Sequence, residues 1–182
     1  MLRPDDFDDI HTHGRRGPRI LTNLRWPEKP AVSDAAGAAY SAGIHPWDTA
    51  AESFSEADAM VWLENIARRP DVLAIGECGL DALRGAPRPD QERVFLAQCR
   101  LAARLGKPVI VHCVRAWDRL LRIRRLLPQD LQMVVHGFRG RPALARQLLD
   151  AGFDLSFGQK FNPESFAATP PDRRFRETDD IK

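Results

Sequence analysis

The run VLAIGECGLDALRGAPRPDQERVFLAQCRLAARLGKPVIVHC, residues 72–113, decides the fold. It opens on an apolar stretch, Val72 to Ile75, followed closely by a carboxylate at Glu77, and closes on a second stretch, Val109 to Val111, that ends in an imidazole at His112. Between them Val94, Phe95, Leu101 and Leu105 fall on one helical stripe. Asp90 can cap the start of that helix, and Gly106 before Pro108 stops it. Strand, helix and strand at this spacing describe a right-handed crossover between parallel strands.

Outward from this unit the pattern repeats. Further strand candidates are Phe7 to Ile10, Arg19 to Leu24, Ala38 to Ile44, Met133 to Val135, Phe153 to Phe157 and Arg174 to Thr178. Ser55 and Asp58 resemble a capping box ahead of Ala59, Trp62, Leu63 and Ile66; a third helix is expected from about Arg115 to Leu127, and a fourth between Pro142 and Gly152. The prediction is an α/β fold, a TIM-barrel-like (β/α) barrel whose site lies at the carboxyl ends of the strands. Polar residues punctuate those ends.

Two places depart from a regular barrel. Only five residues separate His13 from Arg19, and a parallel crossover needs roughly ten or more, so a hairpin or irregular excursion is expected there. On the last strand Phe175, Glu177 and Asp179 share one face while Arg174 and Arg176 take the other, which predicts an outer face without a covering helix. The barrel is therefore expected to be incomplete or distorted.

Composition bounds the rest. The 182 residues are 43% hydrophobic and 29% charged, which excludes disordered and collagenous classes and predicts one domain over 1–182. No apolar stretch approaches the roughly 20 residues of a membrane span, and MLRPDDFDDI lacks the pattern of a signal peptide, so a cytoplasmic protein without a membrane partner is expected. Cys78, Cys99 and Cys113 form no CxxC pair and read as small buried side chains. Basic residues outnumber acidic ones only after residue 90, which permits an anionic substrate on that side.

The candidate chemistry sits at the strand ends. His11 and His13 lie two residues apart, about 6.6 Å between Cα atoms on a strand, close enough to share a metal. Asp9, on the same face, could hydrogen-bond a ligating imidazole. Glu77 at the mouth of a buried strand needs a cation or a donor, and Gly76 and Gly79 leave the backbone beside it clear. His112 and His136 end their strands, Asp179 follows the last one, and His45 occupies the turn GIHPWD. Each taken alone also fits a structural histidine or a salt-bridged carboxylate. Together they form the mixed nitrogen and oxygen set that suits zinc, manganese or iron, with magnesium at a carboxylate-rich position.

DIHTH, GIHPWD, AIGECGLD, PVIVHC, VVHGFRG, DLSFG and ETDD, in this order over residues 9–180, resemble the TatD-type metal-dependent hydrolases of the amidohydrolase superfamily. The resemblance implies one or two divalent metal ions and hydrolysis of phosphodiesters, as in a deoxyribonuclease, by a metal-activated water. It implies that His11, His13 and Asp179 hold one metal, that Glu77 bridges, and that His112 and His136 hold the second; on general acid–base grounds Glu77 or Asp179 is the expected acceptor of the water proton. His45 matches a motif residue beside the pocket and is read as a substrate contact; Asp81 matches the acidic residue of the GLD run. The chain is similar to a compact subgroup, short between the HTH and GIHP motifs.

DNA or another phosphate-containing substrate is the expected partner. Arg115 and Arg139, and less so Arg141, lie just past the strands of His112 and His136 and could bind its phosphates; Trp47 and Trp117 could stack bases. Two alternatives stay open. One keeps the metals and changes the substrate to a small amide, lactone or phosphate ester; the other is a metal-binding interaction module of weak activity, its open edge closed by a second copy of the chain.

Overall fold

All eight apolar runs form strands in the computed structural model, which describes residues 1–30 and 37–179. They are β1 (Asp9–Thr12), β2 (Ile20–Arg25), β3 (Ala39–Gly43), β4 (Val72–Asp81), β5 (Val109–Val114), β6 (Met133–Val135), β7 (Phe153–Phe157) and β8 (Arg174–Arg176). The helices are α1 (Glu56–Ala67), α2 (Arg88–Leu105), α3 (Trp117–Arg124), α4 (Pro142–Asp150) and α5 (Pro163–Ala168). The sheet runs β1 to β8 in chain order with every neighbouring pair parallel. Among the described residues β8 and β1 share no ladder, so the barrel is nearly closed with one seam.

That seam is bridged from β1. The Asp9 carboxylate, almost fully buried, accepts the Thr178 amide at 3.1 Å and the Thr178 hydroxyl at 2.7 Å, and the Asp179 amide donates to the His11 carbonyl at 3.0 Å. Asp180, the last letter of the ETDD motif, lies outside the described residues.

Alternation along the strands sorts the side chains into two layers. Ile10, Leu21, Ala74, Ile110, Val134 and Phe175 meet inside the barrel as an apolar floor, closed from below by Leu2 and Phe7. Val109, Val111, Met133, Val135, Phe153 and Leu155 belong instead to the larger core, with Leu63, Phe95, Leu101, Leu120 and Leu148 of the helices. His112 follows Ile110 by two residues and His136 follows Val134 by two. Both imidazoles therefore stand directly above the floor.

Of the two readings offered for the β1–β2 connection, the irregular excursion holds and the hairpin does not: the strands are parallel, Asp9 beside Ile20 and Thr12 beside Thr22, and residues 13–19 form no helix. β1 has only four residues, so the return path is about 13 Å, which the seven residues 13–19 can span at roughly 3.3 Å each. Helix α2 begins before Asp90, at Arg88 behind Pro87, and Asp90 sits in its first turn paired with Arg93. No helix follows β8 among the described residues; the guanidinium groups of Arg174 and Arg176 on its outer face lie over Phe166 of the preceding α5, capped by the Asn162 side chain, at 4.2 and 5.1 Å. Elsewhere the local signals hold: Ser55 caps α1 through the Asp58 amide, and α2 ends at Gly106 in the left-handed conformation.

Candidate metal centre

Every histidine of the chain reaches one carboxylate. Glu77 Oε1 lies 2.6 Å from His112 Nδ1, 2.7 Å from His136 Nε2 and 3.2 Å from His45 Nε2. Its other oxygen lies 3.4 Å from His11 Nε2 and 3.8 Å from His13 Nε2. Asp179 Oδ1 completes the near side, 3.8 Å from His11 and 4.0 Å from His13. Asp179 adopts φ 46°, a left-handed conformation that aspartate, with asparagine and histidine, enters more readily than other non-glycine residues. These side chains open into a cavity of about 630 Å³ whose wall includes His13, His45, Trp47, Glu77, His112, His136, Arg139 and Asp179.

The electrostatics follow from this crowding. Burial alone would raise the Glu77 pKa, but His136, His11 and His112 outweigh it and hold the carboxyl well below its ordinary 4.5. Burial would likewise lower His136, yet Glu77 and Glu177 keep its pKa well above 6.5. Glu177, whose Oε1 is 3.5 Å from His136 Nδ1, is held below its usual range by that imidazole in spite of burial. For His13 and His45 burial prevails and the pKa falls.

The donor set fits a divalent cation. Both ring nitrogens of His11 are buried without a hydrogen-bond partner among the described residues, and a cation at Nε2, the nitrogen that faces Glu77 and Asp179, relieves one of them. Among the described residues four groups place ligand atoms within 4.8 Å of one another: His11, His13 and Asp179; His11, Glu77 and His136; His45, Glu77 and His112; and His136, Glu177 and Asp179.

Buried amides, which the sequence pattern did not single out, hold the site in place. Asn23 Oδ1 accepts the Glu77 amide at 2.7 Å and the Ser41 hydroxyl at 3.1 Å, tying β2, β3 and β4 together. Gln98 exchanges two hydrogen bonds with Ile44, next to His45. Seven residues earlier on α2, Gln91 does the same with the Asp81 backbone. The only available signal was two glutamines on the buried stripe of an amphipathic helix.

The remaining candidates divide. Asp9 serves the seam, and its further partners are the His11 amide and Arg15, so it does not take the imidazole-orienting place its register suggested. Arg139 lines the cavity; Arg115 is exposed, adopts φ 49° and is not among the lining residues. Trp47 lines the cavity, with Arg84 over its ring at 4.6 Å and Arg25 at 5.7 Å, whereas Trp117 packs on Phe138. Arg25, bonded to Asp48 on two atoms, is a lining residue the sequence reading missed. Cys78 and Cys99 are buried thiols; Cys113 borders both the core and the cavity, its pKa pushed up to about 12 by burial.

Comparison with known proteins gives this arrangement a family. The family model described as TatD related DNase matches residues 28–181. A protein of Klebsiella pneumoniae named 3'-5' ssDNA/RNA exonuclease TatD is 35% identical over 96% of this chain and 72% of its own length. A Citrobacter koseri protein of the same name is 42% identical over 62% of this chain and 43% of its own. The crystal structure of YJJV, a TatD homologue from Escherichia coli, superposes with a TM-score of 0.75 at 26% identity, covering 88% of this chain and 66% of that one. The chain thus spans some 43 to 72% of the length of these relatives. A match over most of its length, with the motif residues gathered around Glu77, shows that the chain belongs to the TatD family of metal-dependent hydrolases.

Proposed function

We propose that this chain, acting as one domain, is a divalent-metal-dependent phosphodiesterase that trims single-stranded DNA or RNA. The observation that carries the proposal is the convergence of five imidazoles and Asp179 on the Glu77 carboxylate at the floor of an open cavity. His11, His13 and Asp179 would hold one ion, His112 and His136 a second, with Glu77 between them; zinc, manganese and magnesium all suit such a set. An ion there supplies Lewis-acid stabilisation of phosphate charge and lowers the pKa of water.

The protein's own groups divide the remaining work. Glu77, on which the imidazoles converge, serves to fix their positions. Asp179 reaches the same cavity with a partly exposed carboxylate and takes the proton of the attacking water as the P–O ester bond breaks. Arg139, on the wall, offers planar donors to the phosphate oxygens. The name of the Klebsiella relative favours release of nucleotides from the 3' end.

The test is cleavage of end-labelled single-stranded DNA by protein reconstituted with magnesium, manganese or zinc. Cleavage abolished by EDTA and by Asp179→Asn is the expected result. No cleavage by protein carrying stoichiometric metal would overturn the nuclease reading and turn the search to small esters and amides.

A further inference from the structure

We infer that Asp81 is a positioning residue of this site: it accepts a hydrogen bond from the N–H of His112 Nε2 and so keeps Nδ1, the nitrogen facing Glu77, available to a cation. The inference rests on the metal reading above and concerns a residue outside the proposed ligand set. His112 stands between two carboxylates, with Nδ1 2.6 Å from Glu77 Oε1 and Nε2 3.3 Å from Asp81 Oδ2. A neutral imidazole has one N–H and one lone pair. If Nδ1 is to present its lone pair on the Glu77 side, the proton must reside on Nε2, and Asp81 is the acceptor there.

The position of that acceptor is over-determined. Asp81 is 3% exposed. Its Oδ1 accepts the amides of Leu83 at 2.8 Å and Arg84 at 3.2 Å. Its Oδ2 accepts the Trp47 indole N–H at 2.6 Å. Its own amide and carbonyl are both held by the Gln91 side chain. A carboxylate so fixed cannot turn away from His112, and it also ties that histidine to Trp47 on the cavity wall.

Asparagine at this position tests the assignment because it keeps the shape and reverses one hydrogen-bonding face. With its oxygen retained by the Leu83 and Arg84 amides, the introduced carboxamide would point N–H at both Trp47 and His112. The Trp47 conflict is removed by making the change in a Trp47→Phe background. The probe is zinc. In zinc-loaded wild-type protein, ¹⁵N spectra of labelled histidine should show His112 protonated on Nε2. Relative to Trp47→Phe, the double variant Trp47→Phe/Asp81→Asn should bind zinc ~10- to 100-fold more weakly, the usual scale for loss of an outer partner of a ligating histidine.

Zinc affinity equal within about twofold, or a His112 Nε2 without a proton in the loaded wild type, would overturn the inference while leaving the metal reading intact. Failure of wild-type protein to bind zinc at all would overturn both. If the double variant does not fold, the wild-type spectrum decides alone.

Discussion

Thr178 Oγ1 donates to Asp9 Oδ2 at 2.7 Å, across the seam between the last strand and the first. The same carboxylate accepts the Thr178 and His11 amides and an Arg15 guanidinium, so it substitutes for a ladder that β8 and β1 do not form. Asp9→Asn leaves one acceptor oxygen where two now serve, and at least one of these donors loses its partner. Leaving a buried donor unpaired costs ~1–3 kcal/mol, and urea unfolding of metal-free protein should show a loss of that size. A loss under ~0.5 kcal/mol would mean that water or another group closes the seam instead.

The pairing of His136 with Glu77 makes stability depend on pH with opposite signs in the metal-free and metal-loaded protein. His136 is held above its ordinary 6.5 and Glu77 below its ordinary 4.5. The first contributes in full below 6.5 and loses its contribution as pH climbs through the raised value; the second contributes in full above 4.5 and loses it as pH falls through the depressed one. The pair therefore supports the metal-free protein best between those two values. A cation needs the imidazole deprotonated and competes with its proton. The urea midpoint of EDTA-treated protein should fall as pH rises above 6.5, while apparent zinc affinity rises over the same range. A metal-free midpoint that climbs with pH instead would show that His136 is neutral beside Glu77.

How much of this was legible depends on whether a signal is local. His112 and His136 could be placed because each follows an apolar strand of fixed alternation, Ile110 and Val134 setting the inward face two residues before. Glu77 was legible for the same reason, although a register shift between Ile75 and Cys78 means that simple counting from Ala74 does not reach it. Asn23, Gln91 and Gln98 were not legible as site residues. The bond of Asn23 to Glu77 and of Gln98 to Ile44 each joins residues 54 apart, and nothing in a local pattern distinguishes a buried amide from an exposed one. The early crossover was read correctly as too short for a helix, but the hairpin alternative failed because β1 is short enough for an irregular seven-residue path to return in parallel.

Gly79 tests the packing of β4 against β5. A Cβ built on it would lie 1.9 Å from the His112 carbonyl oxygen and 2.9 Å from the carbonyl carbon, both backbone atoms that cannot swing aside. The residues are direct partners in the ladder. Gly79→Ala must therefore separate the strands that carry Glu77 and His112, at a cost of ~3 kcal/mol or more, the range of severe overpacking. The expected outcome is insoluble protein or a melting temperature lowered by roughly 6 °C or more for a domain of this size, with loss of zinc binding. A soluble variant with wild-type melting and metal content would show that the two strands can part without consequence.

Arg139 and Arg115 were equal candidates for phosphate contact in the sequence, and only one of them faces the cavity. Arg139 is on its wall, beside Gly137 and His136; Arg115, just past β5, is exposed and is not among the lining residues. A charge-assisted hydrogen bond to phosphate is worth ~1.5–3 kcal/mol, so Arg139→Ala should lower kcat/KM on single-stranded DNA by ~10- to 100-fold. Arg139→Lys keeps the charge without the planar donors and should recover part of the loss. Arg115→Ala should remain within about twofold of wild type, because a solvated cation off the substrate path contributes little. The salt dependence separates binding from chemistry: losing one phosphate contact reduces the slope of log affinity against log salt by about 0.7 for a single strand. Equal losses from the two substitutions would place the strand outside the cavity wall, along the exposed end of β5, and would move the substrate path away from Trp47.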